Sequence, residues 1–502
     1  MVRQVKTPFR HFGAVDQCFQ HDLTSWSDKD RLWPMPETTE TRVDPLDLRA
    51  AARHVMVDFN QMQTFTANPL IMVEGAGITL TDHEGRRYID GLSGVFAVSL
   101  GHGNDEIIDA IAAQHRRLSF SSPIMTTTDR ALELAAALIR VTGGRYDVVK
   151  QLSSGSEATE AALKMARQYH RQSGSPERYK TISFYRSYHG ATMGALTSTG
   201  WPQLRAPYEP FLTGGIHAHA PIPGSCRACT GSCTLGCLAQ LRDVIEHEGP
   251  RTVSAIIVEP VMLTAGVHTL SDDYLRGLRA LCDETGVLLI FDEIVTGFGR
   301  LGAWFAAEQA GVWPDILCVG KGLTSGYAPL SAVLLTKKVA SAFWGSAADG
   351  VQFQAGHTFA ANPVSAACGL AVIRYFEQHG VLDNVHARGA ELAARLRAIG
   401  QRYPVAGELR GRGLLYCLDF IDPATGGPLS SAQPVGTAVQ QAARHRGLLV
   451  RASPHNAMLA PPLVLTAAQV TEIADLFEES VAEVNEQVVS GAGVDLDVAF
   501  GL

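Results

Sequence analysis

The chain has 502 residues, 46% of them hydrophobic, and carries 42 Lys+Arg against 50 Asp+Glu for a formal net charge of -8. That supplies a large core, and the lack of basic excess argues against a nucleic-acid or anionic-membrane partner. No apolar run approaches the ~20 residues that cross a bilayer, and the start, Met1-Val2-Arg3-Gln4-Val5-Lys6, lacks the apolar core of an export signal, so a cytoplasmic enzyme is expected.

Residues 1–45, with prolines at 8, 34, 36 and 45, read as an N-terminal extension. A helical pattern over Asp44–Gln63 follows, then a small antiparallel sheet around Ile71–Glu74, Ile78–Leu80 and Arg87–Asp90. Residues 46–95 are taken as the N-terminal part of a small domain. From 96 to 380 short apolar strands alternate with amphipathic helices, the mark of a mostly parallel sheet covered on both faces. The strand candidates are Val148–Ser153, Thr181–Tyr185, Ser254–Val258, Val287–Phe291, Ile316–Val319 and Ser331–Leu335. Residues 381–502 read as the C-terminal part of the small α+β domain.

In an open parallel sheet, ligands gather beyond the carboxyl ends of the strands. Four groups lie there. Ser153-Ser154-Gly155-Ser156 leaves a strand and opens a helix, where backbone N–H groups and the helix dipole suit a phosphate; a plain helix cap is the bland alternative. Tyr188-His189-Gly190 offers an aromatic ring to stack on a flat ligand, though most such rings are simply core. Asp292 follows four apolar residues, so its carboxylate needs a partner; a protonated pyridine nitrogen is one, and a helix cap or metal is another. Lys321, between Gly320 and Gly322, is placed for desolvation to a neutral, nucleophilic amine, where a lone lysine is usually a solvated surface charge. Four such groups on the strand ends of one sheet point to pyridoxal 5′-phosphate (PLP).

Cys226, Cys229, Cys233 and Cys237 form a separate cluster in an insertion at about 221–238. Four thiolates have the count for tetrahedral zinc or an iron–sulfur cluster, with His217 and His219 upstream as extra ligands; a reduced structural loop is the alternative.

The run Phe291-Asp292-Glu293-Ile294-Val295-Thr296-Gly297-Phe298-Gly299-Arg300, followed by Lys321, resembles the signature of class III (ω-type) aminotransferases. The resemblance extends from about residue 70 to about 480. It implies fold type I, with a large PLP-binding domain, a smaller α+β domain and a homodimer with shared active sites. It implies Lys321 as the Schiff-base lysine and proton shuttle, Asp292 as partner of the ring nitrogen, and Tyr188 stacked on the ring. Ser154, Gly155 and Ser156 would hold the phosphate, with His189, Glu259 and Val295 also at the cofactor. Thr358, in Gly356-His357-Thr358-Phe359, resembles the threonine that reaches a neighbouring subunit's phosphate. Phe96 resembles a pocket aromatic. Arg410, with Arg412 as substitute, resembles the arginine that grips a substrate carboxylate, a surface ion pair being the alternative.

Departures from the family pattern narrow the substrate. Relatives acting on ornithine or 4-aminobutyrate carry a glutamate where this chain has Thr264, and a glutamine where it has Val295. Both changes point away from glutamate/2-oxoglutarate and toward the amine/ω-amino acid:pyruvate branch. The expected activity passes the amino group of a primary amine or ω-amino acid to a 2-oxo acid, pyruvate first, by a ping-pong route through pyridoxamine phosphate. The rivals are an aminomutase, epimerase, decarboxylase or phospho-lyase on the same cofactor, and a metal-binding protein built around the cysteine cluster.

Overall fold

The computed structural model describes residues 47–211, 213–222, 235–430, 433–491, 493, 494 and 496, so the predicted extension over 1–45 and the cysteines Cys226, Cys229 and Cys233 lie outside the described residues. The chain divides into two compact units, Met1–Asp58 and Phe59–Leu502. In the first, Asp47 caps a one-turn helix, Leu48–Ala51, by accepting from the Ala50 N–H at 3.0 Å, and a 3₁₀ turn, Ala52–His54, follows. The predicted helix is longer than this. Leu48, Val55 and Met56 are exposed, and an apolar stripe with nothing to bury it does not sustain a long helix.

The second unit is built on a seven-stranded sheet. In chain order its strands are β1 (Val148–Leu152), β2 (Lys180–Phe184), β3 (Gly215–Ala218), β4 (Val253–Val258), β5 (Leu288–Asp292), β6 (Ile316–Val319) and β7 (Ser331–Leu335). Their order across the sheet is β1-β7-β6-β5-β4-β2-β3. All neighbours are parallel except those of β7, which runs antiparallel to β6 and β1. The mixed α/β architecture and mostly parallel sheet expected from the alternating pattern are present. Strand β3 had no clear signal, because Gly-Ile-His-Ala is short and only its last residue is buried. The central strands β4 to β7 are buried at every position, which is why they read as unbroken apolar runs.

Among the described residues there are three smaller sheets, one of them only the two-stranded pair Val261–Met262 and His268–Thr269. The predicted N-terminal meander consists of Met72–Ala76, Thr79–Asp82 and Arg87–Asp90, and Leu448–Leu449 joins it from the far end of the chain as a parallel fourth strand. Ala406–Arg412, Leu415–Phe420, Asn456–Leu459 and Arg451–Ser453 form an antiparallel sheet in that spatial order. One apolar core gathers Ile78, Ile89, Leu100 and Ile107 with Leu418, Leu448, Ile473 and Phe477, so early and late segments are packed as one body.

Each parallel strand of the large sheet delivers its carboxyl end to the same edge. Because β5 and β6 are neighbours, with Asp292 opposite Cys318, the residues that follow them must share one neighbourhood. Phe291, fully buried in the main core, anchors the strand that carries Asp292. Phe291→Ala is expected to lower the unfolding free energy by about 3–5 kcal/mol, measured by urea denaturation at unchanged m-value.

Candidate active site

The four groups picked out of the sequence meet at this edge. Ser154 caps the helix Gly155–Gln172, accepting from the Glu157 N–H at 3.2 Å, so the capping role is present, and it leaves the first N–H groups of the helix open to a phosphate. The first N–H groups of a helix have no intrahelical acceptor, and those of Gly155 and Ser156 open this one. Ser156 Oγ accepts from the Ala191 N–H at 3.0 Å, tying the helix start to the segment after Tyr188-His189-Gly190. A Cβ on Gly155 would lie 3.2 Å from Ile294, and one on Gly320 would lie 3.1 Å from the same side chain. Ile294 thus brings the helix start, the Asp292 turn and the Lys321 turn together, and the two glycines allow that approach.

Asp292 is buried, and its Oδ2 lies 2.8 Å from His189 Nδ1 while Oδ1 accepts from the Ile294 N–H at 3.1 Å. The other ring nitrogen of His189, Nε2, is buried without a partner among the described residues. Glu259 accepts from the Tyr188 N–H at 2.9 Å and the Leu263 N–H at 3.2 Å, which fixes the backbone that carries the Tyr188 ring. Burial, reinforced by the nearby charge of Asp292, pushes the Glu259 carboxyl up to about 7. Lys321 is only partly buried by surface, being open to the cleft, yet its amine is densely surrounded. Desolvation brings it down to about 8 against the opposing pull of Asp292 and Glu259, with Arg451 and Arg300 assisting. Lys321 has φ 43°, a strained left-handed backbone. Its Nζ is 5.7 Å from the centre of the Phe96 ring. Phe96 is buried with Val261, Leu263 and Met458, and Val295 packs beside it.

Other predicted residues lie elsewhere or are differently engaged. Thr358 is exposed, next to exposed Phe359. Arg410 forms a two-pronged ion pair with Asp419, and its Nε donates to Gly266 O at 2.9 Å. Burial would lower its basicity, but the Asp419 pair outweighs that and raises it. The fork expected from sequence to grip a substrate carboxylate is here engaged by Asp419. Arg412 is the last residue of the same strand and is exposed.

One arginine was missed. Arg451 sits on an edge strand of the small antiparallel sheet, and its guanidinium has no hydrogen-bond or ion-pair partner among the described residues. By surface Arg451 is exposed, yet desolvation of its guanidinium lowers its basicity while Tyr188 opposes the shift, and its charge bears on Lys321. The signal for it was a cation directly after the apolar run Leu448-Leu449-Val450.

The metal expectation finds no support. Cys226, Cys229 and Cys233 lie outside the described residues, and Cys237 is buried in the main core as the second residue of the helix Gly236–Glu248. His217 is engaged instead by Arg205, at 3.1 Å, and by Thr199 O, at 3.2 Å. Among the described residues, no group of three or more His, Cys, Asp or Glu is placed to hold a metal ion.

The residues present fit pyridoxal phosphate. A helix start free of large side chains faces the phosphate position, a buried acid is locked by His189, and a desolvated lysine stands on the adjacent strand end. Comparison with known proteins agrees. The model of the family described as "Aminotransferase class-III" matches residues 61–481. The chain is 35% identical over 436 residues to an adenosylmethionine-8-amino-7-oxononanoate aminotransferase of Geobacter sulfurreducens, covering 86% of this chain and 96% of that protein. It superposes at a TM-score of 0.79 on an amine transaminase from an uncultivated Pseudomonas species in its PLP-bound form, at 35% identity over 83% of this chain and 95% of that one. An (S)-enantioselective omega-transaminase from Thermomicrobium roseum gives a TM-score of 0.81 at 34% identity, covering 88% of this chain and 98% of that chain. With its fold, its Asp292–Lys321 strand ends and these likenesses, the chain belongs to the class III aminotransferases, PLP enzymes of fold type I.

Proposed function

We propose that this aminotransferase takes its nitrogen from a primary amine or ω-amino acid and gives it to pyruvate in a ping-pong cycle, as a cytoplasmic homodimer. The observation that carries this reading is the Arg451 guanidinium, which lacks a partner among the described residues and is paired in the sheet with Met458, a residue packed with the Phe96 ring that lies over the Lys321 amine. A single exposed fork suits the one carboxylate of pyruvate. Where glutamate-using relatives place an acid, Thr264 accepts from Trp201 Nε1 at 2.9 Å and donates to Arg186 O at 3.2 Å. The likeness to solved amine transaminases supports the donor class.

Bound at this site, pyridoxal phosphate supplies a carbonyl that accepts the amine and a ring that withdraws electrons from the donor carbon. The protein does the rest. Asp292, held by His189 and the Ile294 N–H, would be the partner of the ring nitrogen. Ser154, Gly155 and Ser156 would hold the phosphate through the helix start, and Tyr188 and Val295 would bound the ring. Lys321, whose amine is brought down to about 8, would hold the cofactor through its Nζ and, once released, would be the group placed to move a proton at the donor carbon. Phe96 closes the donor side and Arg451 orients the acceptor.

The dimer reading rests on a surface. Phe120 and Phe359 pack edge to face at 6.0 Å, and with Ile124 and Met125, each 87% exposed, they present apolar side chains beside Thr358. Such a face calls for a partner, and a second copy would bring Thr358 to the neighbouring phosphate position.

Three outcomes are expected. The visible band of the PLP-loaded protein bleaches with an amine donor and returns with pyruvate, and Lys321→Ala shows neither band nor turnover; a band that a range of donors leaves unbleached would exclude transamination of these amines. Arg451→Ala raises KM for pyruvate about tenfold or more with little change for a donor lacking a carboxylate, whereas Arg410→Ala acts on thermal stability; the reverse pattern would restore Arg410 to the acceptor site. Only the neutral amine attacks a carbonyl, so the rate at which apoprotein captures PLP rises with pH and levels off above about 8; a rise continuing to pH 10 would show an unperturbed lysine.

A further inference from the structure

The segment Ser93–Phe96 is strained where it meets the active site. Ser93 has φ 52°, Gly94 65° and Phe96 61°. Two of these three residues carry side chains, for which left-handed backbone is unfavourable, so the turn persists only if its surroundings over-determine it.

Two anchors do so. Buried Asp90, whose Oδ2 lies 3.0 Å from His102 Nε2, accepts from the Gly94 N–H at 2.9 and 2.8 Å and from the Leu92 N–H at 3.3 Å. The Ser93 hydroxyl donates to Ala460 O at 2.6 Å and accepts from an Arg300 NH2 at 3.2 Å. Arg300 is 1% exposed, and its other arm donates to Leu414 O at 3.1 Å and Pro461 O at 2.6 Å. Among the described residues no carboxylate forms an ion pair with it. A guanidinium buried on neutral acceptors is expensive to keep, and a core that needed only packing is better served by an apolar side chain. What this arginine joins is the loop after β5, the late segments around 414 and 461, and the strained turn.

The consequence lies at Phe96. With the turn in this conformation its ring lies against the Lys321 amine and among Val261, Leu263 and Met458, while the preceding Val95 is 58% exposed. We propose that Ser93 and Arg300 are positioning residues whose hydrogen bond locks this strained turn, holding Phe96 as a fixed wall that limits the size of the amine donor. Freed of the hydroxyl anchor, the turn relaxes toward ordinary φ and the ring withdraws. The proposal rests on the amine-donor reading above.

The test uses Ser93→Gly, which tolerates the left-handed backbone but lacks the hydroxyl, and Arg300→Lys, which keeps the charge but loses the fork. In apoprotein, hydrogen–deuterium exchange is followed in the peptide spanning 91–100. In holoenzyme, kcat and KM are measured with isopropylamine and with 1-(1-naphthyl)ethylamine, both with pyruvate. The expectation is faster exchange in both variants and a bulky-to-small ratio of kcat/KM raised about tenfold, mainly through a lower KM for the naphthyl amine. An unchanged ratio, or a changed ratio with unchanged exchange, overturns the proposal. If Arg300→Lys does not fold, Ser93→Gly decides it by the same criteria. A wild type inactive on every amine instead removes the donor reading and the size claim with it, while exchange still reports whether the anchor holds the turn.

Discussion

The molecule depends on burying opposite charges at the ends of two neighbouring strands. β5 ends in Asp292 and β6 leads into Lys321, and their parallel pairing leaves both groups no direction but the same edge. Desolvation works against the charge of Lys321, and Asp292 and Glu259 partly offset it. The balance leaves the Lys321 amine at about 8, a useful place for the nucleophile and proton carrier proposed above. His189 settles the remaining degree of freedom by fixing the Asp292 carboxylate at 2.8 Å.

Around this pair the site is assembled from distant stretches of chain. Ile294 is touched by both Gly155 and Gly320, so the phosphate turn, the acid and the lysine have little room to move independently. Glu259 fastens the backbone of Tyr188 from the next strand. The late antiparallel sheet supplies Met458 to the wall around Phe96 and Arg451 to the cleft. These are strong constraints on position, fitting for a reaction in which a proton must pass between a fixed lysine and a fixed carbon.

The two arginines show how residue type differs from residue state. Arg410 and Arg451 are aligned across one sheet, since Arg410 pairs with Cys417, Cys417 with Met458, and Met458 with Arg451. Directly paired residues share a face, so both face the same way. Arg410 has Asp419 within reach and is neutralised by it; Arg451 has no such acid and stays open. A guanidinium's usefulness to a substrate is decided by its neighbours, and of these two only Arg451 lacks a partner among the described residues.

By itself the sequence determined the class of structure and the chemistry at its centre. Unbroken apolar runs between amphipathic helices specify a covered parallel sheet, and the polar residues at the ends of two such runs, Asp292 and Lys321, together with the turns at Ser154 and Tyr188, point to a site. These signals are local, written within a strand and the turn that follows. Tertiary structure decided what depends on pairing across long separations. Leu448–Leu449 joins the N-terminal sheet, Arg300 reaches Ser93 and Pro461, and Asp419 claims Arg410. It also shortened the expected helix near Leu48, whose apolar stripe has nothing to bury it. Hydrophobic periodicity reports which face of an element seeks cover; it carries no information about which distant side chain will be there to meet it.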